Sequence, residues 1–144
     1  DLSSPQTEKM EKECKVRLTS SVLGGDDGME LLSTGKWSED NGVYSVEYEE
    51  MDETGESNTV NKIVVSGDVV SVSRLGEHPS TMVFRQGKTF DTCIVTPYGE
   101  IPLSIYSRKI NFVRKENGAE LDLIYSFDLS GEPGSNELHL TVDY

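Results

Sequence analysis

The sequence predicts an all-β protein, folded as an antiparallel up-and-down β-barrel of eight to ten strands. Two observations indicate this fold. From residue 14 onward, apolar residues occupy every second position in most runs, which is the period of a half-buried strand. Short polar turns with Asn-Gly, Asp-Gly or Ser-Gly-Asp interrupt these runs, and such turns are typical of tight hairpins. A meander of this kind can close on itself and so remove its exposed edges.

In the first half of the chain, each strand is followed by a recognisable turn. The first strand starts at Cys14, and Gly35 in the second marks a bulge or a close approach of two backbones. Asp40-Asn41-Gly42 predicts a type I′ turn into the third strand. A polar loop over residues 52–58 and a turn at 66–68 separate the next strands. The expected inward positions are Met29, Leu31, Trp37, Tyr44, Val46, Tyr48, Glu50, Val70, Val72 and Arg74.

In the second half, a turn at Gln86-Gly87 leads to a strand over residues 90–96, and the residues from Thr96 to Gly99 suit a type I turn. The long strand that follows changes its inward phase by one residue, which predicts a β-bulge near Ser107. Turns at 117–118 and 133–134 precede the last two strands. We expect pairing of the first and last strands to bring the ends of the sheet together.

Length and charge limit the function. The 144 residues suit one barrel domain over residues 13–144, with residues 1–12 as a flexible N-terminal tail. The 26 acidic and 13 basic residues give a formal charge of −13, which argues against nucleic acid or an anionic membrane as partner. Arg108-Lys109 with Arg114-Lys115 is expected on a solvated face.

The sequence also predicts a location in the cell. No apolar stretch approaches the roughly 20 residues of a membrane span, and no signal-peptide core opens the chain. We therefore predict a cytoplasmic protein, although a chain that begins at Asp1 leaves a processed precursor open. Cys14 and Cys93 are expected to be free thiols at core or interfacial positions.

No catalytic constellation is predicted. His139 lies in an outward phase and His78 in a polar loop, and neither has a nucleophile at motif spacing. A pairing of His78 with Cys93 through the fold stays open as the minor alternative. The acidic clusters do not match a calcium loop, and the glycines do not form a phosphate loop. We therefore predict no enzyme, no metal site and no cofactor.

Arg74 is the most informative interior residue. It follows Val70 and Val72 on the same face, and a buried arginine without a partner costs several kcal/mol. Three explanations follow: an ion pair with Glu50, a position at the barrel rim, or a site where Arg74 receives an anionic ligand group.

We therefore predict that the barrel binds a small, partly apolar ligand in its interior, with an anionic group if Arg74 receives it. The alternative is a protein-interaction module with a packed core, whose acidic face or open edge meets a protein partner or a second copy. An internal cavity above roughly 300 Å³ would favour the ligand. The candidate ligand-binding residues are Trp37, Tyr48, Arg74, Met82, Phe84, Tyr98 and Tyr125.

Several short motifs occur in a characteristic order: Thr34-Gly35, Tyr44-x-Val-x-Tyr48-x-Glu50, Lys62-Ile63, Val72-x-Arg74-x-Gly76, Met82-x-Phe84-x-x-Gly87 and Thr96-Pro97-Tyr98-Gly99. In this combination, over residues 13–144, the chain resembles the DUF1934 family of YwiB-like bacterial proteins. The resemblance implies a calycin-like barrel, similar to lipocalins and fatty-acid-binding proteins, in a small cytoplasmic bacterial protein. It implies no activity, because the family is named for its unknown function.

Gly35-Lys36-Trp37 also looks like the Gly-x-Trp motif of lipocalins. Here the motif falls in the second predicted strand instead of the first, and no matching arginine near the C-terminus covers the tryptophan. The Arg-x-Tyr pair of many fatty-acid-binding proteins is absent as well. The departures weigh against a lipid carrier and leave the barrel prediction unchanged.

Overall fold

The computed structural model describes residues 9–22, 28–51, 54–55, 57–76 and 79–144. The described part of the chain contains no helix with the length and hydropathy of a membrane span. It forms ten β-strands: β1 (Lys9–Val22), β2 (Gly28–Asp40), β3 (Val43–Met51), β4 (Ser57–Ser66), β5 (Val69–Leu75), β6 (Ser80–Arg85), β7 (Thr89–Thr96), β8 (Gly99–Lys115), β9 (Gly118–Leu129) and β10 (Glu132–Asp143).

The ten strands form one antiparallel sheet that curls into a nearly closed barrel. Its order is β6-β5-β4-β3-β2-β1-β10-β9-β8-β7, so β6 and β7 are the one pair of consecutive strands that do not lie side by side. The first and last strands, β1 and β10, pair with each other, with Val16 opposite Val142 and Leu18 opposite Leu140. The predicted all-β up-and-down barrel and the pairing of its first and last strands are confirmed.

The two ends of the sheet, β6 and β7, meet at Ser107 in β8. The last residue of β6 and the turn that follows it bind Ser107 through three hydrogen bonds. Gly87 N–H donates to the Ser107 carbonyl oxygen (2.8 Å), and Ser107 N–H donates to the Lys88 carbonyl oxygen (3.1 Å). Arg85 N–H donates to Ser107 Oγ (3.1 Å). Ser107 is 1% exposed, so these hydrogen bonds are buried in the barrel wall. We call this contact between the two ends of the sheet the Ser107 junction.

The predicted bulge lies at the same residue. Ser107 is opposite Tyr125 on β9, whereas Lys109 is opposite the preceding residue, Ile124, so Arg108 is the extra residue. The inward phase therefore passes from Ser107 to Ile110, as the sequence pattern indicates. The bulge bends β8 and lets its first half pair with β7 while its second half continues beside β9.

Gly35 is a site of close backbone approach. A Cβ atom there would lie 2.2 Å from the Glu47 carbonyl oxygen, and the β1–β2 ladder runs past Gly35 without a register shift. The β2–β3 ladder ends at the pair Gly35–Tyr48. Beyond it, Ser33 Oγ donates to the Glu49 carbonyl oxygen (3.1 Å). The two strands therefore separate toward one end of the barrel.

Two boundaries differ from the sequence predictions. β1 begins at Lys9, so residues 9–12 belong to a strand and not to the expected tail; Met10 packs against the core, and residues 1–8 lie outside the described part. The last hairpin turns at Ser130-Gly131, where both residues have positive φ (52° and 93°), and not at residues 133–134. Gly134 instead lies within β10 beneath the Phe127 ring, which occupies the space of a Cβ atom.

We predict that Gly35→Ala destabilises the protein by about 1–3 kcal/mol, because the added methyl group must displace the β3 backbone. Gly28→Ala is the matched control in the same strand, since its Cβ atom would lie at an ordinary 3.6 Å from the Ser20 carbonyl oxygen. Its expected change is within about 0.5 kcal/mol. Urea unfolding of both variants measures the difference. Equal losses of stability would show that the β3 backbone moves aside for the Gly35→Ala methyl group at no extra cost.

Candidate functional site

The barrel interior opens at the end where β2 and β3 separate. A partly open cavity of about 250 Å³ lies there, which we call the upper cavity. This volume is below the roughly 300 Å³ that would favour a drug-sized ligand. It nevertheless leaves this end of the interior unfilled by side chains. Its walls carry the apolar side chains Leu18, Leu31, Ile63, Val72, Met82 and Leu138 and the polar side chains Ser20, Tyr48, Glu50, Asn61, Arg74, Ser80 and Tyr125, with Met29 at the rim.

Arg74 lies at the rim of the upper cavity and is paired with Glu50. The distance from Arg74 Nη2 to Glu50 Oε2 is 3.2 Å, and the two side chains are 51% and 34% exposed. Asn61 Nδ2 donates to the same carboxylate oxygen (3.2 Å). Two of the three explanations for Arg74 therefore hold together: it forms an ion pair with Glu50, and it lies at the barrel rim. Within the described ranges, the guanidinium forms no ion pair or side-chain hydrogen bond other than the one to Glu50, so N–H groups remain for a further partner.

Tyr48 supplies a second free donor beside this pair. Its side chain is 4% exposed, and burial raises the pKa of the phenol to about 12, with a further contribution from the Glu50 carboxylate and an opposing one from Arg74. The phenol is therefore neutral at physiological pH and keeps its O–H group as a hydrogen-bond donor. Within the described part of the chain its hydroxyl has no hydrogen-bond partner.

A separate polar group lies on the β9–β10–β1 side of the cavity. Asn136 Nδ2 donates to the Tyr125 hydroxyl (2.8 Å) and to Ser20 Oγ (3.1 Å). Burial raises the pKa of Tyr125, and the Asn136 hydrogen bond opposes this rise. This wall is satisfied by its own contacts, in contrast to the wall of Arg74 and Tyr48.

Four of the predicted site residues, Tyr48, Arg74, Met82 and Tyr125, come together in the upper cavity. Phe84 lies behind them: it is 1% exposed, and its ring centroid is 5.0 Å from that of Tyr125. Phe84 therefore supports the wall without lining it.

Trp37 lies at the other end of the barrel, so the expectation that it lines a ligand site with Tyr48 is wrong. Its ring stacks on Tyr44 (6.1 Å) and Tyr144 (6.2 Å), and its Nε1 donates to Glu39 Oε2 (3.0 Å). Phe112 packs on Tyr44 at 5.1 Å. The void among these side chains is about 10 Å³. We call this packed region the closed end.

Tyr98 is also placed differently from the expectation, since it is 99% exposed. It lies in the turn between β7 and β8, where its N–H donates to Thr96 Oγ1 (3.1 Å). A turn residue has no inward phase, so strand alternation could not place its side chain. Tyr98 is not part of the interior.

Asn61, Asn136 and Ser20 are site residues that the sequence analysis missed. Asn61 is 9% exposed and occupies the inward phase of Ile63 and Val65, but apolar residues in both phases of β4 hid this position. Asn136 was hidden because the last turn was assigned three residues too late. A polar residue in an inward phase was the signal that could have found Asn61.

The cysteines and histidines lie apart from the cavity. Both cysteines are free, as predicted; Cys14 is buried, and Cys93 is exposed on β7 and not in the core. His139 contacts Asp122 through Nδ1 and Thr141 through Nε2 on the outer sheet surface. His78 lies outside the described residues, so its pairing with Cys93 remains untested. No group of three His, Cys, Asp or Glu residues is placed to hold a metal ion within the described ranges.

Comparison with known proteins identifies a family and a similar fold. A family model described as "Domain of unknown function (DUF1934)" matches residues 15–140. The crystal structure of the ywiB protein from Bacillus subtilis is similar, with a TM-score of 0.75 and 18% sequence identity over 94% of this chain and 92% of that chain. At this identity the likeness shows the fold alone.

A second structure, a structural genomics protein of unknown function from Bacteroides ovatus, is 11% identical over 92% of this chain and 41% of that chain. Its TM-score of 0.34 is too low to support an argument. Comparison with curated proteins gives no match.

The pKa of Tyr48 predicts an alkaline loss of stability. Because its folded-state pKa, about 12, lies above the ordinary tyrosine pKa of 10.0, the stabilisation is complete below pH 10 and is lost as the pH rises through 12. Tyr48 accounts for about 1 kcal/mol of the difference near pH 11. In urea unfolding at pH 9 and pH 11, Tyr48→Phe should lose less stability than the wild type. Tyr98→Phe, at an exposed position, should match the wild type; a Tyr48→Phe variant that also matches it would contradict the assignment.

Proposed function

Because this chain belongs to the DUF1934 family, whose description gives no function, we propose a function from the geometry of the upper cavity: the barrel binds a small, partly apolar organic acid there. The observation that carries the proposal is a pair of hydrogen-bond donors, each with capacity left for a ligand, beside an apolar pocket. The Arg74 guanidinium and the Tyr48 hydroxyl adjoin the same space, and neither is fully used by the described residues.

The two donors suit a carboxylate. An arginine offers its N–H groups in a planar fork that matches two carboxylate oxygens, and a neutral phenol can donate a further hydrogen bond. Glu50 holds Arg74 at the rim through Nη2 and leaves the remaining guanidinium edge for the ligand. Asn61 in turn holds Glu50. The rim is therefore organised before a ligand arrives, which reduces the entropy lost on binding.

The apolar walls and the volume define the rest of the ligand. Leu31, Val72 and Met82 offer surface to a hydrocarbon or aromatic group, and each Å² of apolar surface removed from water stabilises the complex by about 25 cal/mol. Water occupies about 30 Å³ per molecule, so about 250 Å³ has room for roughly eight non-hydrogen atoms plus those left at the open rim. A medium-chain or aromatic acid fits, whereas a long-chain fatty acid exceeds the space.

The proposed role is binding without catalysis. The described cavity lining includes no cysteine or histidine that could act as nucleophile or base, and its tyrosines have raised pKa values. We further propose a cytoplasmic location, because both cysteines are free thiols and reducing compartments maintain that state.

A protein-interaction role is the second candidate. Tyr98 is 99% exposed and Val95 is 41% exposed at the tip of the β7–β8 hairpin. Exposed aromatic residues are frequent anchors of protein interfaces. This role needs no ligand in the upper cavity, so a barrel that binds none of the compounds below would favour it.

We predict that octanoate binds the protein and that octylamine and octanol bind more weakly, as measured by isothermal titration calorimetry. Arg74→Met should weaken octanoate binding by about tenfold or more, because a hydrogen bond to a charged group contributes about 1.5–3 kcal/mol. Tyr48→Phe should weaken it by a smaller factor.

Arg85→Met is the matched control, since Arg85 has a similar exposure of 55%, pairs with Asp68 at 3.0 Å and does not line the cavity. It should bind octanoate as the wild type does. Equal affinities for octanoate and octylamine, or an Arg74→Met variant with wild-type affinity, would overturn the proposed carboxylate site.

A further inference from the structure

Basic side chains are scarce in this chain, and most of them have a partner. The chain has 13 basic and 26 acidic residues, so acidic partners outnumber the cations. Eight of the basic side chains form ion pairs. Lys12 lies over the Tyr144 ring. Four basic side chains have neither kind of partner among the described residues: Lys15, Lys88, Arg108 and Lys109.

Three of these four unpartnered cations meet at one place. The Lys88 carbonyl oxygen accepts the hydrogen bond from Ser107 N–H (3.1 Å), and Arg108 and Lys109 directly follow Ser107. We call Lys88, Arg108 and Lys109 the basic cluster. Arg114 and Lys115, which share their stretch of β8, are neutralised by Glu39 and Glu120, so the structure separates the two halves of this basic segment.

The bulge is what turns the cluster outward. In a regular strand Arg108 and Lys109 would point to opposite faces. Because the bulge adds one residue between the buried Ser107 and the half-buried Ile110, both basic side chains are exposed. Lys88 is exposed as well. The three cations therefore share the outer surface at the β6–β7 turn.

The backbone beneath the cluster is held firmly. Gly87 N–H donates to Ser107 (2.8 Å), and the Gln86 side-chain oxygen accepts the Ile110 N–H (3.1 Å). The backbone positions of the three basic residues are thus held close together, and an anion between their side chains would relieve the repulsion among the three positive charges. Two acids near the cluster already have partners: Asp68 pairs with Arg85, and Asp122, opposite Asn111 on β9, contacts His139.

We propose that the basic cluster binds a compact, multiply charged oxyanion of the phosphate type, at a site separate from the upper cavity. Arginine can bind two phosphate oxygens at once, and lysines add point charges. The ligand must be compact because the net charge of −13 repels an extended polyanion beyond the cluster. A single phosphate group, free or on a small phosphomonoester, meets both conditions.

The test is an NMR titration of the folded protein with inorganic phosphate, with phenyl phosphate, and with sodium chloride at matched ionic strength. Saturable shifts of the amides of residues 86–89 and 107–110 are expected with both phosphate compounds and not with chloride. The double variant Lys88→Gln with Lys109→Gln should weaken binding by about tenfold. Lys15→Gln, which removes the unpartnered cation outside the cluster, is the matched control and should bind as the wild type does.

The result can also contradict the proposal clearly. Shifts that chloride reproduces, or that Lys15→Gln weakens as much as the double variant, would show only general screening of charge. A single-stranded oligonucleotide that binds more tightly than phenyl phosphate would identify a polyanion surface in place of a compact site. All substituted side chains are exposed, so the variants are expected to fold, and their amide spectra verify it.

Discussion

The barrel depends on the junction at which Ser107 joins the two ends of its sheet. Pairing of β1 with β10 unites the halves of the chain, but β6 and β7 do not pair with each other. The backbone N–H, the carbonyl and the hydroxyl of Ser107 all bond to the last residue of β6 or the turn that follows it. A serine in a buried wall position is polar where the pattern calls for an apolar residue. Here each polar group is satisfied, and an apolar replacement would leave the Arg85 N–H without its partner.

The two ends of the barrel interior differ in how far side chains fill them. At the closed end, Trp37, Tyr44, Phe112 and Tyr144 fill the space, and Glu39 accepts hydrogen bonds from Trp37 and Arg114. At the other end, β2 and β3 separate beyond Gly35 and leave the upper cavity. The bulge that closes the wall also turns Arg108 and Lys109 outward. The cavity and the basic cluster are thus separate consequences of how one sheet is bent and closed.

Alternation and turn residues were enough to predict the all-β barrel, the β1–β10 pairing and the bulge near Ser107, because each follows from local phase. The shared inward phase of Arg74 and Glu50 made their pairing one of the three explanations that the sequence offered. Phase alone does not give the position along the barrel axis, so Trp37 and Tyr48 were grouped although Trp37 packs in the closed end and Tyr48 lines the upper cavity. Tyr98 has no phase because it lies in a turn. Asn136 was hidden by a turn assigned three residues too late, and the lack of partners for Lys88 depends on contacts far away in sequence.

Amide hydrogen exchange, measured residue by residue, tests the Ser107 junction most directly. Slow exchange reports hydrogen bonds that open only with the surrounding structure. The account predicts that the amides of Gly87 and Ser107 exchange as slowly as that of Leu123 in the core. The amide of Gly131, which donates to Asp128 in an exposed turn, should exchange fast. If Gly87 and Ser107 exchange at the rate of Gly131, the ends of the sheet are not held at Ser107, and the account is contradicted.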